Sequence, residues 1–349
     1  MNTNTNSPKN KNTKQTLVLL DSHAILHRAY HALPDFTSSR GEPTGALYGL
    51  STMLIKIIKD LKPDYIVAAY DLSKPTYRHE LYDDYKAGRD KTDEALVDQI
   101  KRSRDIFRAL SIPMYDKEGY EADDILGTVV EMTKKDKNLD VVIASGDMDT
   151  LQLIDGEKVR EYTLKKGIKE TTIYDEEGVR ERFLFGPMLL PDYKGLRGDP
   201  SDNIIGIKGV GEKTATTLIS KFGTLENMYK VLKKDRESVK GAGITDRMLT
   251  LLEENEEEAL FSKELATIRR DVPIDFSLPA KKWIDSVSSE KVFQLFDELT
   301  FRTLKDRMGE VLGIKPENLT RQMSLNEAGT EKVSDEEVEA LGIALWLID

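Results

Sequence analysis

The residues best able to do chemistry in this 349-residue chain are carboxylates that arrive in short bursts. Asp21 closes one apolar run and Asp71 follows another. Glu121, Asp123 and Asp124 share GYEADD, Asp147 and Asp149 lie in SGDMD, and Asp199 and Asp202 lie in LRGDPSDN. Cys is absent, which excludes thiolate sites, and the four His (His23, His27, His31, His79) are not spaced as a metal set. Oxygen-only donors suit a hard divalent cation, Mg²⁺ or Mn²⁺. So many of them point to two ions and to phosphate chemistry. Each burst taken alone also reads as helix capping, because acids at a helix start accept free N–H groups and complement the dipole. Three carboxylates that repel one another in GYEADD favour an ion over a cap.

The elements that must position these acids follow from the apolar pattern. TLVLL, YIVAAY and DVVIAS are continuous and β-branched, as strands buried on both faces are. Residues 45–61, 94–110 and 122–133 between them have helical spacing, so the chain is expected to be α/β with a mostly parallel central sheet. Such sheets bind ligands beyond the carboxyl ends of their strands, where Asp21, Asp71 and Asp147 fall. Residues 75–93, dense in Tyr, Arg, Lys and Asp, read as a mobile loop or solvated helix over the sheet. Arg78, Lys86 and Arg89 in that stretch would form a cationic wall against a phosphodiester, and Arg28, two helical turns beyond Asp21, can face the same site. A solvated helix with scattered charges is the plainer alternative. A Glu-rich helix is expected over 251–265.

GDPSDN runs into GIKGVGEKTA. Gly209 and Gly211 permit positive φ and close backbone approach, and the N–H groups of Gly211, Lys213 and Thr214 would face outward at a helix N-terminus, a ready phosphate site. With Lys208, this string resembles a helix–hairpin–helix element, which holds a DNA backbone without reading bases. Its exposed carbonyls could also take a monovalent cation such as K⁺.

The net charge is −11, but it is unevenly spread. Residues 310–349 carry 9 acidic and 3 basic side chains, whereas 194–240 carry 10 basic and 6 acidic. A ligand responds to the local field, screened over about 8 Å, so the overall sign does not exclude nucleic acid. No run reaches the ~18–20 apolar residues of a membrane helix, and the polar start has no apolar signal core. No membrane partner and a cytoplasmic, nucleoid-associated location are expected.

Together, LLDSHAILHRAYHAL, YDLSKPTYRHELYDDYKAGR, GYEADD, SGDMD and GLRGDPSDNIIGIKGVGEKTA resemble the 5′–3′ exonuclease and flap endonuclease family, as in the nuclease domain of bacterial DNA polymerase I. The resemblance runs from about residue 16 to 308. It implies a PIN-like, flap-endonuclease-like core with a helical helix–hairpin–helix-type DNA-binding domain. The expected divisions are a disordered tail at 1–15, the α/β core at 16–185 with a helical arch near 75–110, the helical domain at 186–275, a helical segment packing back at 276–308, and an acidic linker at 309–349 that opens a following domain.

The resemblance also implies that one metal is held by Asp21, Asp71, Glu121 and Asp123 with Asp124 near, and a second by Asp147, Asp149, Asp199 and Asp202. Lys86 and Arg89 would contact the scissile phosphate. Two positions depart from the family's pattern: Met148 stands where a basic residue is frequent, and His27 where Tyr is frequent. The implied substrate is DNA with a 5′ flap, nick or free 5′ end, or an RNA primer, with a polymerase domain in cis or in trans as partner. A non-catalytic module for branched DNA, or the nuclease fragment of a full-length polymerase, are the alternatives. The closing string LGIALWLID is expected to be a strand lacking its partner.

Overall fold

The computed structural model describes residues 14–89, 91–166 and 170–314. Six strands form one sheet: β1 (Gln15–Asp21), β2 (Tyr65–Ala69), β3 (Met114–Tyr115), β4 (Leu139–Ala144), β5 (Val159–Lys166) and β6 (Glu170–Tyr174), in the order β3-β2-β1-β4-β5-β6. Every neighbouring pair is parallel except β5 and β6. The chain builds outward from β1 through β2 to β3, then returns to place β4 on the other side of β1. The strand order therefore reverses between β1 and β4, where an open sheet leaves a crevice at its carboxyl edge.

The alternation along β1 shows why its run is apolar throughout. Val18 and Leu20 pack with helices α1 (Ser22–Ala32), α2 (Gly45–Leu61) and α4 (Glu94–Ala109). Leu17 and Leu19 face the opposite layer, built on α5 (Ala122–Thr133) through Ile125, Leu126 and Val129. Each such side chain, fully buried, contributes roughly 1.5–3 kcal/mol. The helices read at 45–61 and 122–133 coincide with α2 and α5, and α4 ends one residue short of its expected limit.

The stretch 75–93 is not a solvated helix. It holds the five-residue α3 (Tyr77–Leu81) and then turns through 82–89, with Arg78 and Tyr85 each 3% exposed. The pattern lacked an apolar face because the buried groups here are a guanidinium and a phenol. α4, which follows, is a core helix.

Beyond the sheet come α6 (Glu176–Phe183), α7 (Leu190–Arg197), α8 (Glu212–Phe222), α9 (Leu225–Lys234), α10 (Arg236–Lys240), α11 (Asp246–Glu254) and α12 (Glu256–Ala266). Their apolar faces share a second core with Leu151 and Ile154 from the sheet side. The single Glu-rich helix expected over 251–265 is two helices that change direction at Asn255, whose φ of −123° leaves the helical region. Residues 267–282 return without regular secondary structure. α13 (Trp283–Ser286), α14 (Ser289–Glu298) and α15 (Arg302–Val311) then pack on α2 and α4 through Val292, Phe296 and Leu304. The Trp283 indole donates to Leu110 O at 2.8 Å. Gln15 belongs to β1; the rest of the expected tail apart from Lys14, and residues 315–349 with LGIALWLID, lie outside the described residues.

Candidate functional site

Asp21 ends β1 and caps α1, accepting from Ala24 N at 3.0 Å. Its other oxygen accepts from Ser145 Oγ at 2.8 Å, across the β1–β4 reversal. Ser145 Oγ in turn accepts from Asp147 N at 3.0 Å, and Asp147 caps the 3₁₀ turn Met148–Leu153 by accepting from Asp149 N at 3.0 Å. Asp71, just past β2, accepts from Ala122 N at 2.7 Å, which fixes the start of α5. Glu121 is the N-cap of α5, with Asp123 and Asp124 in its first turn. The capping interpretation and the clustering interpretation thus both apply. The caps are the means by which the acids are aimed.

Asp21, Asp71, Glu121, Asp123, Asp147, Asp149 and Asp202 line one cleft together with Tyr85, Lys86 and Arg89. Burial, with repulsion from Asp71 and Asp147 added, pushes Asp21 up to about 7 against the hydrogen bond from Ala24. Burial likewise raises Asp149 to about 7, with Lys194 opposing and Asp147 adding to it. Asp123 is driven well above the carboxylate range by burial and by Asp21, Asp147, Asp149 and Asp71.

Cationic side chains hold the remaining acids. Lys86 Nζ lies 2.8 Å from Glu121, Arg89 Nη2 lies 2.5 Å from Asp202, and Lys194 bridges Asp149 and Asp199. Burial disfavours the Lys86 charge, but Glu121 and Asp202 outweigh it and leave its pKa raised. Among the described residues no three His, Asp or Glu stand ready around a single ion position. The donor set still fits hard divalent cations. It is all carboxylate, it is mutually repulsive, and its charge is partly met by lysine and arginine ends that can move away.

Several expected site residues lie elsewhere. Asp124 is 0% exposed and outside the cleft; Arg78 binds it through Nη1 at 2.8 Å and Nη2 at 2.9 Å, and Glu121 N and Arg269 N also donate to it. Both of its oxygens are taken up by these hydrogen bonds. Arg78, expected on DNA, does line the cleft, but it is buried against Asp124 and lies 3.4 Å from Glu121, and its other N–H groups donate to Leu265 O and Thr267 O at 2.9 Å. Arg28 lies flat on Gly146 and donates to its carbonyl at 3.0 Å, so it braces the SGDMD turn from behind. Asp199 stands back from the cleft, accepting from Ser201 N and Oγ and from Lys194.

Tyr85 and Lys194 were not identified from the sequence. The Tyr85 hydroxyl donates to Asp202 at 2.8 Å and Glu121 at 3.2 Å, joining the two acidic groups. Only the closeness of Tyr85 to Lys86 could have flagged it. Lys194, five residues before Asp199 at the end of α7, has no sequence signal beyond that spacing.

The hairpin string enters α8 through Gly211, the N-cap, which has no side-chain bond to offer. The first N–H groups of α8 are therefore open to an outside acceptor. Lys208, Gly209 and Lys213 are exposed and Thr214 is half-buried, while Ile207 and Val210 anchor the turn in the helical core. Gly209 has φ +105°, as its glycine requires.

No helix among the described residues is long and apolar enough to cross a membrane. Residues 16–184 match a family model described as 5′-3′ exonuclease, N-terminal resolvase-like domain, and 185–288 match 5′-3′ exonuclease, C-terminal SAM fold. The chain is 39% identical over 295 residues to DNA polymerase I of Bacillus caldotenax, covering 84% of this chain and 32% of that one. It is 35% identical over 314 residues to DNA polymerase I of Mycobacterium tuberculosis, covering 89% and 33%. The chain thus spans about a third of the length of the curated relatives it matches.

Among solved structures, a bacteriophage T5 5′-exonuclease with bound zinc superimposes with TM-score 0.59 at 19% identity, over 82% of this chain and 98% of that one. The catalytic core of Rad2 in complex with a DNA substrate gives 0.55 at 15%, over 86% and 92%. The fold is a PIN-like core with a mostly parallel sheet and a helical SAM-fold domain. With the two family models meeting at residue 185 and relatives more than a third identical along most of its length, the chain belongs to the 5′-3′ exonuclease family.

Proposed function

We propose that the chain is a structure-specific 5′–3′ exonuclease and 5′-flap endonuclease that hydrolyses phosphodiesters of DNA or RNA primers in replication and repair. The observation that carries this reading is the cleft at the β1–β4 reversal, where seven carboxylates meet Lys86 and Arg89. Asp21, Asp71, Glu121 and Asp123 would hold one Mg²⁺ or Mn²⁺, and Asp147, Asp149 and Asp202 a second, with Asp199 set behind. When bound, the cations supply a Lewis acid for the attacked phosphate and for the attacking and leaving oxygens.

The chain's own groups do the rest. Lys86 and Arg89 exchange Glu121 and Asp202 for the scissile phosphate and meet the charge that grows there. Tyr85 keeps the two acidic groups in register. The open N–H groups of α8, with Lys208 and Lys213, hold a duplex phosphate and give little sequence preference. K⁺ fits the carbonyls of that turn. A 5′ flap, a nick or a free 5′ end would each present a suitable strand. The relatives' extra length supports a polymerase domain acting in cis or in trans, and their bacterial replication role supports a cytoplasmic, nucleoid-associated site of action.

Asp147→Asn and Asp123→Asn test the reading. Each removes a carboxylate from the cleft and leaves the hairpin intact. Cleavage of a labelled 5′-flap substrate in Mg²⁺ should fall by at least about 10²-fold, with binding in EDTA retained. Wild-type rates in both variants would show that the cleft is not the reaction centre.

A further inference from the structure

Residues 265–272 run from the last turn of α12 into an irregular segment along the wall of the cleft, which Leu265, Ala266 and Ile268 line. Its backbone polar groups are held on two sides by different parts of the site. On one side Arg78 takes Leu265 O and Thr267 O, both at 2.9 Å. On the other, the Gln152 side chain donates to Ala266 O at 3.1 Å and accepts from Ile268 N at 2.9 Å, as a neighbouring strand would. Arg270 Nη2 closes the same contact on Gln152 O at 3.0 Å. Further on, Asp124 accepts from Arg269 N at 2.8 Å, and Thr128 Oγ1 from Val272 N at 3.0 Å.

Three holders of this segment belong to the cleft or adjoin one of its residues in sequence. Gln152 is three residues after Asp149 in the same 3₁₀ turn, Asp124 follows Asp123, and Arg78 begins the stretch that carries Lys86 and Arg89. At its other end the segment continues α12 with no loop between. Ser262 of α12 accepts from Gly206 N at 3.0 Å, at the start of the hairpin turn, and Lys263 ties α12 to Asp192 at 2.6 Å. Gln152 is 3% exposed and reaches neither the cleft nor solvent, so its polar ends serve this contact alone.

We infer that residues 265–272 form a strap through which duplex held at the hairpin sets the position of Asp147 and Asp149, with Gln152 as the positioning residue. The inference rests on the proposed function for its substrate, but not for its contacts. A sub-ångström shift at Gln152 is enough to matter, because a displacement of about 1 Å in a reacting constellation costs on the order of 10²-fold in rate.

Gln152→Met keeps the volume and removes both side-chain hydrogen bonds. Gln152→Glu keeps the acceptor for Ile268 N, sets a carboxylate against Ala266 O, and serves if the first variant does not fold. The first readout is the ratio of Mg²⁺-dependent turnover on a flap with long duplex arms to that on a short single strand unable to reach the hairpin. It should fall about tenfold or more relative to wild type. The second is amide hydrogen exchange in EDTA with saturating duplex DNA. Wild type should gain protection at 206–214 and at 149–154, and the variant at 206–214 alone. An unchanged ratio, or protection at 149–154 that persists in the variant, overturns the strap, as does a wild type whose hairpin gains no protection. A wild type that binds duplex but cuts neither substrate refutes the proposed reaction instead, and the exchange arm still decides the strap.

Discussion

In the string Glu121-Ala122-Asp123-Asp124, three acids of the same type and place meet three different fates. Glu121 faces Lys86, Asp123 faces other carboxylates, and Asp124 turns inward to Arg78. Removing Asp124 takes the main counter-charge from a buried guanidinium and leaves it only Glu121 at 3.4 Å, which costs up to about 3–5 kcal/mol. Asp124→Ala should therefore lower the urea midpoint severely, whether or not metal is present. A midpoint near wild type would mean that Arg78 is not dependent on it. The acids that stay in the cleft behave in the opposite way. Asp21 and Asp149 are raised from 3.8 to about 7, so between those values the folded protein holds protons that the unfolded chain has released. Their contribution is fully present below about pH 4 and is lost as pH rises through about 7. A cation that needs the ionised forms relieves this cost only when they are ionised. Mg²⁺ should raise the melting temperature more at about pH 8 than at about pH 5. Equal gains at both would contradict a carboxylate site. The sequence shows these acids plainly but not their division, because Arg78 lies 46 residues from Asp124 and only folding brings them together.

At the scale of elements, the hairpin separates glycines that fold the chain from one that leaves room for a ligand. Gly206 has φ +61°, and a Cβ there would meet Gly198 N at 2.1 Å, so Gly206→Ala should cost more than about 2 kcal/mol in chemical denaturation. Gly211 has φ −90° and open space around it, so Gly211→Ala should fold with stability changed by no more than about 0.5 kcal/mol, yet bind duplex more weakly because the methyl stands where a phosphate would approach. Unchanged DNA affinity in Gly211→Ala would remove the hairpin from the interface. Elements with one dominant pattern were legible in the sequence: β1, β2 and β4 as apolar runs, and α2 and α5 as helices from their spacing. The stretch 75–93 was not, since its buried face is Arg78 and Tyr85 and its partners are carboxylates, and a hydrophobic pattern carries no record of either. Nor was the break at Asn255: Asn favours helix boundaries, but the Glu-rich run on both sides of it reads as one helix.

Among the described residues, two main cores meet at the 3₁₀ turn and at residues 265–272, where Tyr85, Ile204, Leu265 and Ala266 form a smaller cluster. The sheet and its helices form one, and α7–α12 the other, with Leu151 of the acidic turn buried in the second. This places the cleft at the boundary between them, where a duplex held by the helical domain can deliver a single strand to the carboxyl edge of the sheet. The overall charge of −11 does not oppose such binding, because the acids of the cleft are the proposed cation site and residues 194–240 are net basic. On the proposed function, this boundary cleft hydrolyses a phosphodiester from the 5′ side with divalent cations. The most direct test of that reaction is a 5′-flap substrate labelled at either end and incubated with Mg²⁺ or with EDTA. Release of 5′-terminal fragments in Mg²⁺ alone, leaving 5′-phosphate and 3′-hydroxyl ends, is the predicted result. Cleavage that persists in EDTA, or that starts from the 3′ end, would contradict it.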